Sequence, residues 1–393
     1  VTDLDEYRSR ARAWLAERTA DLPPDPGLAE SRAFMAALYD AGYVGITWPA
    51  EYGGRGLSAV EERAFQQAAA DVPLPVGVFG IGLGMCGPTL LSLGTEEQKR
   101  RYVRPLLRGE EIWCQMFSEP GAGSDVASLQ TRAVRDGGDW VVDGQKVWTS
   151  VARQADLGLL IARTDPDVPK HQGITMFVVD MRDPGVDVRP LRDMTGESHF
   201  NEIFLTGVRV PAENVVGEVN GGWAAAVTTL LHERVSIGMG ATRTERPASF
   251  AALRAAARER GLLGDPGVTD LLLDLYLRER AFDLLTARMS QEVRAGIQPG
   301  ARGSVSKLLL ADLTLASADL ASEILGPECL AGDDPVARAL AWAPGMALGG
   351  GTNEIMRNII GDRVLGLPRE PQVDRTLPFR ALKVGTQVKE DGR

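Results

Sequence analysis

Phe117-Ser118-Glu119-Pro120-Gly121-Ala122-Gly123-Ser124-Asp125 follows the short β-rich run Ile112 to Phe117, so it reads as a loop leaving the end of a strand. Small residues, two hydroxyls and several free backbone N–H groups let such a loop wrap a polar ring edge or a phosphate. An ordinary tight loop has the same composition. Beyond it, Trp140 to Val142, Leu157 to Ile161, Ile174 to Val179 and Glu202 to Leu205 are further short β-rich runs separated by turn residues. Asp136-Gly137-Gly138-Asp139 is a hairpin signal between two of them, and no long helical period interrupts the region up to about Glu218. The centre of the chain is a small β domain.

Both flanks are helical. On the N-terminal side Thr2-Asp3-Leu4-Asp5 reads as an N-cap with an acidic residue after it, and Leu4, Tyr7, Ala11, Trp14 and Leu15 repeat at helical spacing. Phe34, Met35, Leu38 and Tyr39 form a second stripe stopped at Gly42, and Thr95-Glu96-Glu97-Gln98 caps a third helix running to about Gly109. From Gly222 the helical period returns through Trp223 to Met239, Ser249 to Arg260, Val268 to Ala295 and Ser304 to Leu325, and the last helix holds Glu354 to Ile360. The tail from Arg369 to Arg393 is polar and aperiodic, so it is either mobile or an arm lying on a partner, and the sequence alone favours the mobile form.

Composition bounds the function. The 393 residues carry 43 basic and 53 acidic side chains, a net charge of −10, which argues against a chain built to neutralise nucleic-acid phosphates. Cys86, Cys114 and Cys329, with His171, His199 and His232, lie too far apart for metal-ligand spacing, so no metal site and no disulfide are expected. Val72 to Thr95 has no charged residue, yet its glycines and prolines suit a buried, Gly-packed segment better than a membrane span. The N-terminus has no apolar stretch of signal-peptide length, and a cytoplasmic location is expected.

Two further segments carry chemistry. Trp140-Val141-Val142-Asp143-Gly144-Gln145-Lys146-Val147-Trp148-Thr149-Ser150 puts an indole beside two hydroxyls at the end of a strand, which suits a flat heteroaromatic cofactor, although a core Trp is the commoner origin of a lone aromatic. Gly349-Gly350-Gly351-Thr352-Asn353-Glu354-Ile355-Met356-Arg357 places three glycines before a helix and can bring backbone N–H groups to an anionic or carbonyl ligand. It lacks the Lys-Ser/Thr of a nucleotide-triphosphate loop, and no strand leads into it.

With Trp48-Pro49-Ala50-Glu51-Tyr52-Gly53-Gly54, these segments resemble the acyl-CoA dehydrogenase family over nearly the whole chain to about Glu370. The resemblance implies an α+β architecture: an N-terminal helical domain (1–110), a central small β-barrel-like domain (111–220), a C-terminal four-helix bundle (221–370) and a tail (371–393). It implies FAD as cofactor, an acyl-CoA substrate, and α,β-dehydrogenation with a carboxylate removing the Cα proton while a hydride leaves Cβ for the flavin N5. An electron-transferring flavoprotein is the implied electron acceptor. By the same resemblance Gln115, Met116, Phe117, Ser118, Gly123 and Ser124 line the flavin, and Trp148, Thr149 and Ser150 sit at its ring. Thr352, Asn353 and Glu354 contact its nucleotide part. Ser124, Leu231, His232, Arg234 and Gly351 border the substrate, His232 as a neutral packing histidine.

Departures from the family pattern sharpen the assignment. Many members carry the catalytic glutamate directly before the Gly-Thr pair of the C-terminal motif, where this chain has Gly350. A smaller group, including isovaleryl- and long-chain-specific enzymes, carries it on a helix before an arginine, and Leu231-His232-Glu233-Arg234 supplies Glu233 there. A structural ion pair in an apolar helix would look the same without the family match. The usual Arg-x-x-Phe-Gly segment, which reaches a neighbour's FAD pyrophosphate, is replaced by Arg258-Glu259-Arg260-Gly261-Leu262-Leu263-Gly264-Asp265-Pro266, and a Gly-Gly-rich adenosine contact by Leu325-Gly326-Pro327-Glu328-Cys329. A homodimer or homotetramer is the first expectation and a mixed assembly the second. Rival functions are a silent or half-site subunit and a flavin monooxygenase or carrier-protein-acyl oxidase of the same fold.

Overall fold

The computed structural model describes residues 3–240, 248–295, 297, 300–330, 335–369 and 374–382. They fall into two compact units: 1–191 with 198–232 and the C-terminal residues from 372, and 192–197 with 233–371.

The first unit opens with helix α1 (Leu4–Thr19), where the Asp3 carboxylate accepts hydrogen bonds from the amides of Asp5 and Glu6. Asp3 is thus the capping residue, and Thr2 lies outside the described residues. Ala11 and Leu15 of the expected stripe share a core with Phe34, Met35, Leu38 and Tyr39 of α2 (Leu28–Asp40), and Tyr7 is buried against Tyr43. Helix α3 (Ala59–Ala69) follows. The uncharged stretch from Val72 folds into a π-helical turn (Gly82–Cys86) and α4 (Gly87–Leu93), where a Cβ on Gly87 would lie 2.4 Å from the Trp48 ring. Its glycines allow close packing, and among the described residues no helix is long and apolar enough to cross a membrane. Helix α5 (Glu96–Arg108) starts at the reciprocal Thr95–Gln98 capping box and stops at Gly109, which turns left-handed at φ 74°.

Eight strands follow: β1 (Trp113–Met116), β2 (Arg132–Asp136), β3 (Asp139–Ser150), β4 (Leu157–Arg163), β5 (Ile174–Asp180), β6 (Val186–Leu191), β7 (Phe200–Val210) and β8 (Val215–Val216). They pair in the order β6-β7-β3-β2-β4-β5-β8, with β1 running parallel to β4. The sheet is apolar on both faces. Alternation sends Leu157, Leu159 and Ile161 of β4, with Ile174, Met176 and Val178 of β5, to one core. Leu160, Ala162, Phe177 and Val179 go to the other. The first core is closed by Ala225 and Ala226 of helix α6 (Gly222–Gly240), where Thr89 also donates to Thr229 at 3.0 Å.

In the second unit, α7 (Phe250–Glu259), α8 (Pro266–Arg294), α9 (Gly303–Leu325) and α10 (Pro335–Leu348) surround a core that includes Leu253, Leu275, Phe282, Leu313 and Ile324. A short α11 (Asn353–Ile359) packs on α9. Helix α10 was not expected, because Pro344 and Gly345 break its helical signature. The expectation of a mobile tail gives way over Asp374–Leu382, which docks on the sheet unit through Phe379, Arg380 and Asp374.

One buried ion pair ties the loop after β1 to the middle of β3. Lys146, wholly buried, donates to Glu119 Oε1 at 2.8 Å and to the Phe117 carbonyl at 3.0 Å. Glu119 also accepts from the amides of Gln130 and Thr131. Burial pushes the Glu119 carboxyl up, but Lys146 and these amides outweigh it and hold it below the ordinary glutamate value. Its stabilisation is therefore complete above the ordinary glutamate range and lost as pH falls through the lowered value. Glu119→Gln, which leaves the ammonium buried and unpaired, should cost about 3–5 kcal/mol in denaturant unfolding at neutral pH, and adding Lys146→Met should recover much of it. A loss below about 1 kcal/mol, the surface-pair range, would contradict the assigned weight of the pair.

Candidate functional site

The sheet unit brings the first two sequence segments together. Gln115 and Met116 end β1; the side chains of Met116 and Phe117 are buried in the two cores on either side of the sheet, so only their backbone is left for a ligand. Ser118 accepts from the Val147 amide at 2.9 Å, and Glu119 and Ala122 exchange backbone hydrogen bonds at 3.0 Å. Lys146 clamps the same turn from β3. The loop is therefore rigid at its base while Gly121, Gly123 and Ser124 stay exposed at its tip. A Cβ on Gly121 or Gly123 would meet nothing within 4 Å, so there is open room beside them.

Two residues beyond Lys146, β3 is displaced by a bulge between Lys146 and Thr149 where it pairs with β7. Trp148 sits in this bulge with φ 60°, uncommon for a bulky residue, and the turn carries its ring outward. The indole is 56% exposed and held edge-on by Phe200, 5.7 Å between centroids. Thr149 is buried: its Oγ1 has no hydrogen-bond partner among the described residues, while its carbonyl accepts from Asn201 at 2.9 Å. An exposed aromatic face, an orphaned hydroxyl and an open glycine tip on one scaffold fit a flat ring with polar edges, as FAD presents.

The helical unit holds the third segment. Gly350 and Gly351 are both left-handed, at φ 67° and 88°, and a Cβ on Gly351 would strike Met356 at 2.5 Å. Thr352 caps α11 by accepting from the Ile355 amide at 3.2 Å. Asn353, expected at a nucleotide, is buried with both amide atoms engaged, accepting from Lys307 at 3.4 Å and donating to Asp312 at 3.3 Å. Glu354 is exposed and pairs with Arg357.

Lys307, almost wholly buried on α9, was missed by the sequence reading. Burial pushes its amine pKa down, opposed by the charges of Glu354, Asp312 and Glu233. Glu233 itself is half-buried on α6. The Arg234 side chain lies outside the described residues. His232 is half-buried with Nε2 lacking a partner among the described residues, and burial lowers its pKa, which keeps the ring neutral at pH 7. Leu231 is half-buried beside it. In the altered Arg258–Pro266 stretch, Asp265 is not a free acid at all: its Oδ1 accepts from the amides of Gly267 and Val268 and caps α8.

Lys146 was legible in principle. Trp140, Val142 and Lys146 share one period-2 face of β3, so a lysine stands where the alternation calls for a buried residue. Lys307 offered no such signal, since a single lysine in an apolar helix also arises at its surface.

Comparison with known proteins follows the same three-part layout. Family models for the acyl-CoA dehydrogenase N-terminal, middle and C-terminal domains match residues 2–110, 114–208 and 220–365. The acyl-CoA dehydrogenase FadE34 of Mycobacterium tuberculosis is 45% identical over 337 residues, 85% of this chain, which spans only 46% of that protein. The acyl-CoA dehydrogenase IpdE1 of the same organism is 38% identical over 387 residues, covering 94% of this chain and 99% of that one. Among solved structures, the Tcur3481-Tcur3483 steroid ACAD superposes with a TM-score of 0.79 at 32% identity, over 93% of this chain and 98% of that one. The ChsE4-ChsE5 complex from Mycobacterium tuberculosis gives 0.75 at 31% identity, over 94% and 99%. With three successive domain models across almost its full length and relatives above 30% identity to match, this chain belongs to the acyl-CoA dehydrogenase family.

Proposed function

We propose that this chain is an FAD-dependent acyl-CoA dehydrogenase that converts an acyl-CoA to its 2,3-enoyl-CoA, with Glu233 as the α-proton base. The observation that carries the reading is a half-buried carboxylate at 233 whose charge acts on the buried Lys307 amine, in a chain whose position 350 has no side chain. The α-proton base must be ionised before it receives the proton, and Glu233 is the carboxylate this chain offers at that place.

When bound, FAD accepts the hydride that leaves Cβ. The chain's own residues prepare that step. Trp148, Thr149 and Ser150, with the backbone of Gln115 to Ser118 and the Gly123–Ser124 tip, would hold the flavin ring. Glu233 receives the Cα proton on a carboxylate oxygen, and the charge-balancing role goes to Arg234. Leu231, His232, Ser124 and Gly351 border the acyl thioester, and Thr352 and Glu354 lie toward the nucleotide. In this reading the domains divide as 1–110, 111–220 and 221–370, and an electron-transferring flavoprotein takes the electrons onward. The likeness to a steroid ACAD at 32% identity favours a bulky ring-derived acyl group over a straight chain.

A second reading, one half of a mixed assembly, is favoured by the paired names of the Tcur3481-Tcur3483 and ChsE4-ChsE5 relatives and by the missing Phe-Gly segment. Flavin content and solution mass separate the two. The homo-oligomeric reading expects one FAD per chain in a stable assembly of the pure protein. Low occupancy restored by co-expression with a related chain would replace it with the mixed assembly, and a colourless protein under both conditions would remove the flavoenzyme reading.

Glu233→Gln should keep FAD and acyl-CoA binding but slow flavin bleaching under anaerobic acyl-CoA by ~10²–10⁴. Bleaching at a near-normal rate would remove Glu233 from the base position.

A further inference from the structure

The segment Asp374–Leu382 comes back to the sheet unit and is fastened at four points. Phe379 and Arg380 donate backbone hydrogen bonds to the carbonyls of Val168 and Pro166, at 2.8 and 3.0 Å. Arg380 pairs with Asp167, and Asp374 accepts from Lys170. The strap's aromatic ring is buried under a guanidinium: Arg163 lies 3.8 Å from the centroid of Phe379.

The two cations that hold the strap also hold the far arm of the loop after β1. Lys170, 7% exposed, donates to Asp125 at 2.7 Å on one side and to Asp374 on the other. Arg163 donates to the Ala127 carbonyl and to the Lys170 carbonyl, both at 2.6 Å. Its carboxylate neighbours act at a distance and only partly offset burial, which pushes its pKa down to about 10. A buried guanidinium bonded to carbonyls rather than to a carboxylate depends on the Phe379 ring for the rest of its environment. Asp125 also accepts from Ser128 at 2.6 Å, so Asp125 to Ser128 form one anchored corner. Glu119 and Lys146 fix the near end of this loop, and the strap fixes its far end.

We propose that Asp374–Leu382 is a positioning strap for the flavin loop, with Lys170 and Arg163 carrying its hold to Asp125 and Ala127. This rests on the reading of Phe117 to Ser124 as that loop. The contacts named above join the strap to Arg163 and to residues 166–170, which are not assigned to cofactor or substrate. The strap acts by keeping the Gly121–Ser124 tip in one conformation before any ligand arrives, so that ordering entropy is not lost on binding.

The test uses the full chain freed of flavin, with Asp374→Asn, Lys170→Arg and a chain ended after Arg369 beside it. Hydrogen–deuterium exchange over residues 120–128 should quicken about tenfold in Asp374→Asn and at least as much in the shortened chain, while exchange over α8 stays unchanged. FAD dissociation constants from flavin fluorescence should rise about tenfold in the same two proteins, and Lys170→Arg, which keeps the charge between Asp125 and Asp374, should stay near the parent in both measurements. Unchanged loop exchange and FAD affinity in the shortened chain would overturn the proposal. Failure of the unaltered chain to bind FAD would sink the flavin reading instead, and the exchange data would still decide whether the strap orders the loop.

Discussion

A lysine amine with no exposure to water, held 2.8 Å from a nearly buried carboxylate, sits where the loop after β1 meets the middle of β3. Neither charge is tolerable in that place without the other. Lys146 also takes the Phe117 carbonyl, and Glu119 takes two amides from the approach to β2, so one pair fixes three backbone segments. Its consequence is spatial: the residues just before Glu119 and just after Lys146 are those proposed to meet the flavin, and they are set side by side by charges that never reach the ligand. The β3 bulge then turns Trp148 outward, and Thr149 keeps a buried hydroxyl without an internal partner.

The helical unit repeats the device with different chemistry. Lys307 is buried among carboxylates and bonded to Asn353, so the start of α11 is fastened to α9 from below. The charge of Glu233 is among those that oppose the effect of burial on Lys307. In the sheet unit a buried lysine holds backbone and acid in place, and in the helical unit a buried lysine holds the Asn353 side chain at the start of α11.

How much of this was legible follows from the range of each interaction. Caps at Thr95 and Gly109, the apolar stripe of α1 and the short β-rich apolar runs of β4 and β5 are local patterns, and they predict their elements well. Helix α10 is not local in this sense: Pro344 and Gly345 oppose it, and packing on α9 overrides them. Strand β6, partly exposed along its length and carrying Pro190 at the edge of the sheet, has no apolar run to announce it. The strap was hidden for another reason. Lys170 and Asp374 lie 204 residues apart, and nothing in either neighbourhood marks them as partners. Of the candidate site, the flavin-facing segments and Glu233 were read from motif resemblance, whereas Lys146 and Lys307 gain their meaning only from burial.

The central claim is that the chain takes a proton from Cα and passes a hydride from Cβ of the same acyl thioester. Anaerobic mixing with acyl-CoA deuterated at Cα, and separately at Cβ, measures this in the flavin-bleaching step alone. The account predicts that each label slows bleaching, because the Cα proton leaves and the Cβ hydride is transferred in the half-reaction that reduces the flavin. Bleaching at the same rate with and without the Cα label, together with no enoyl-CoA product, would contradict it.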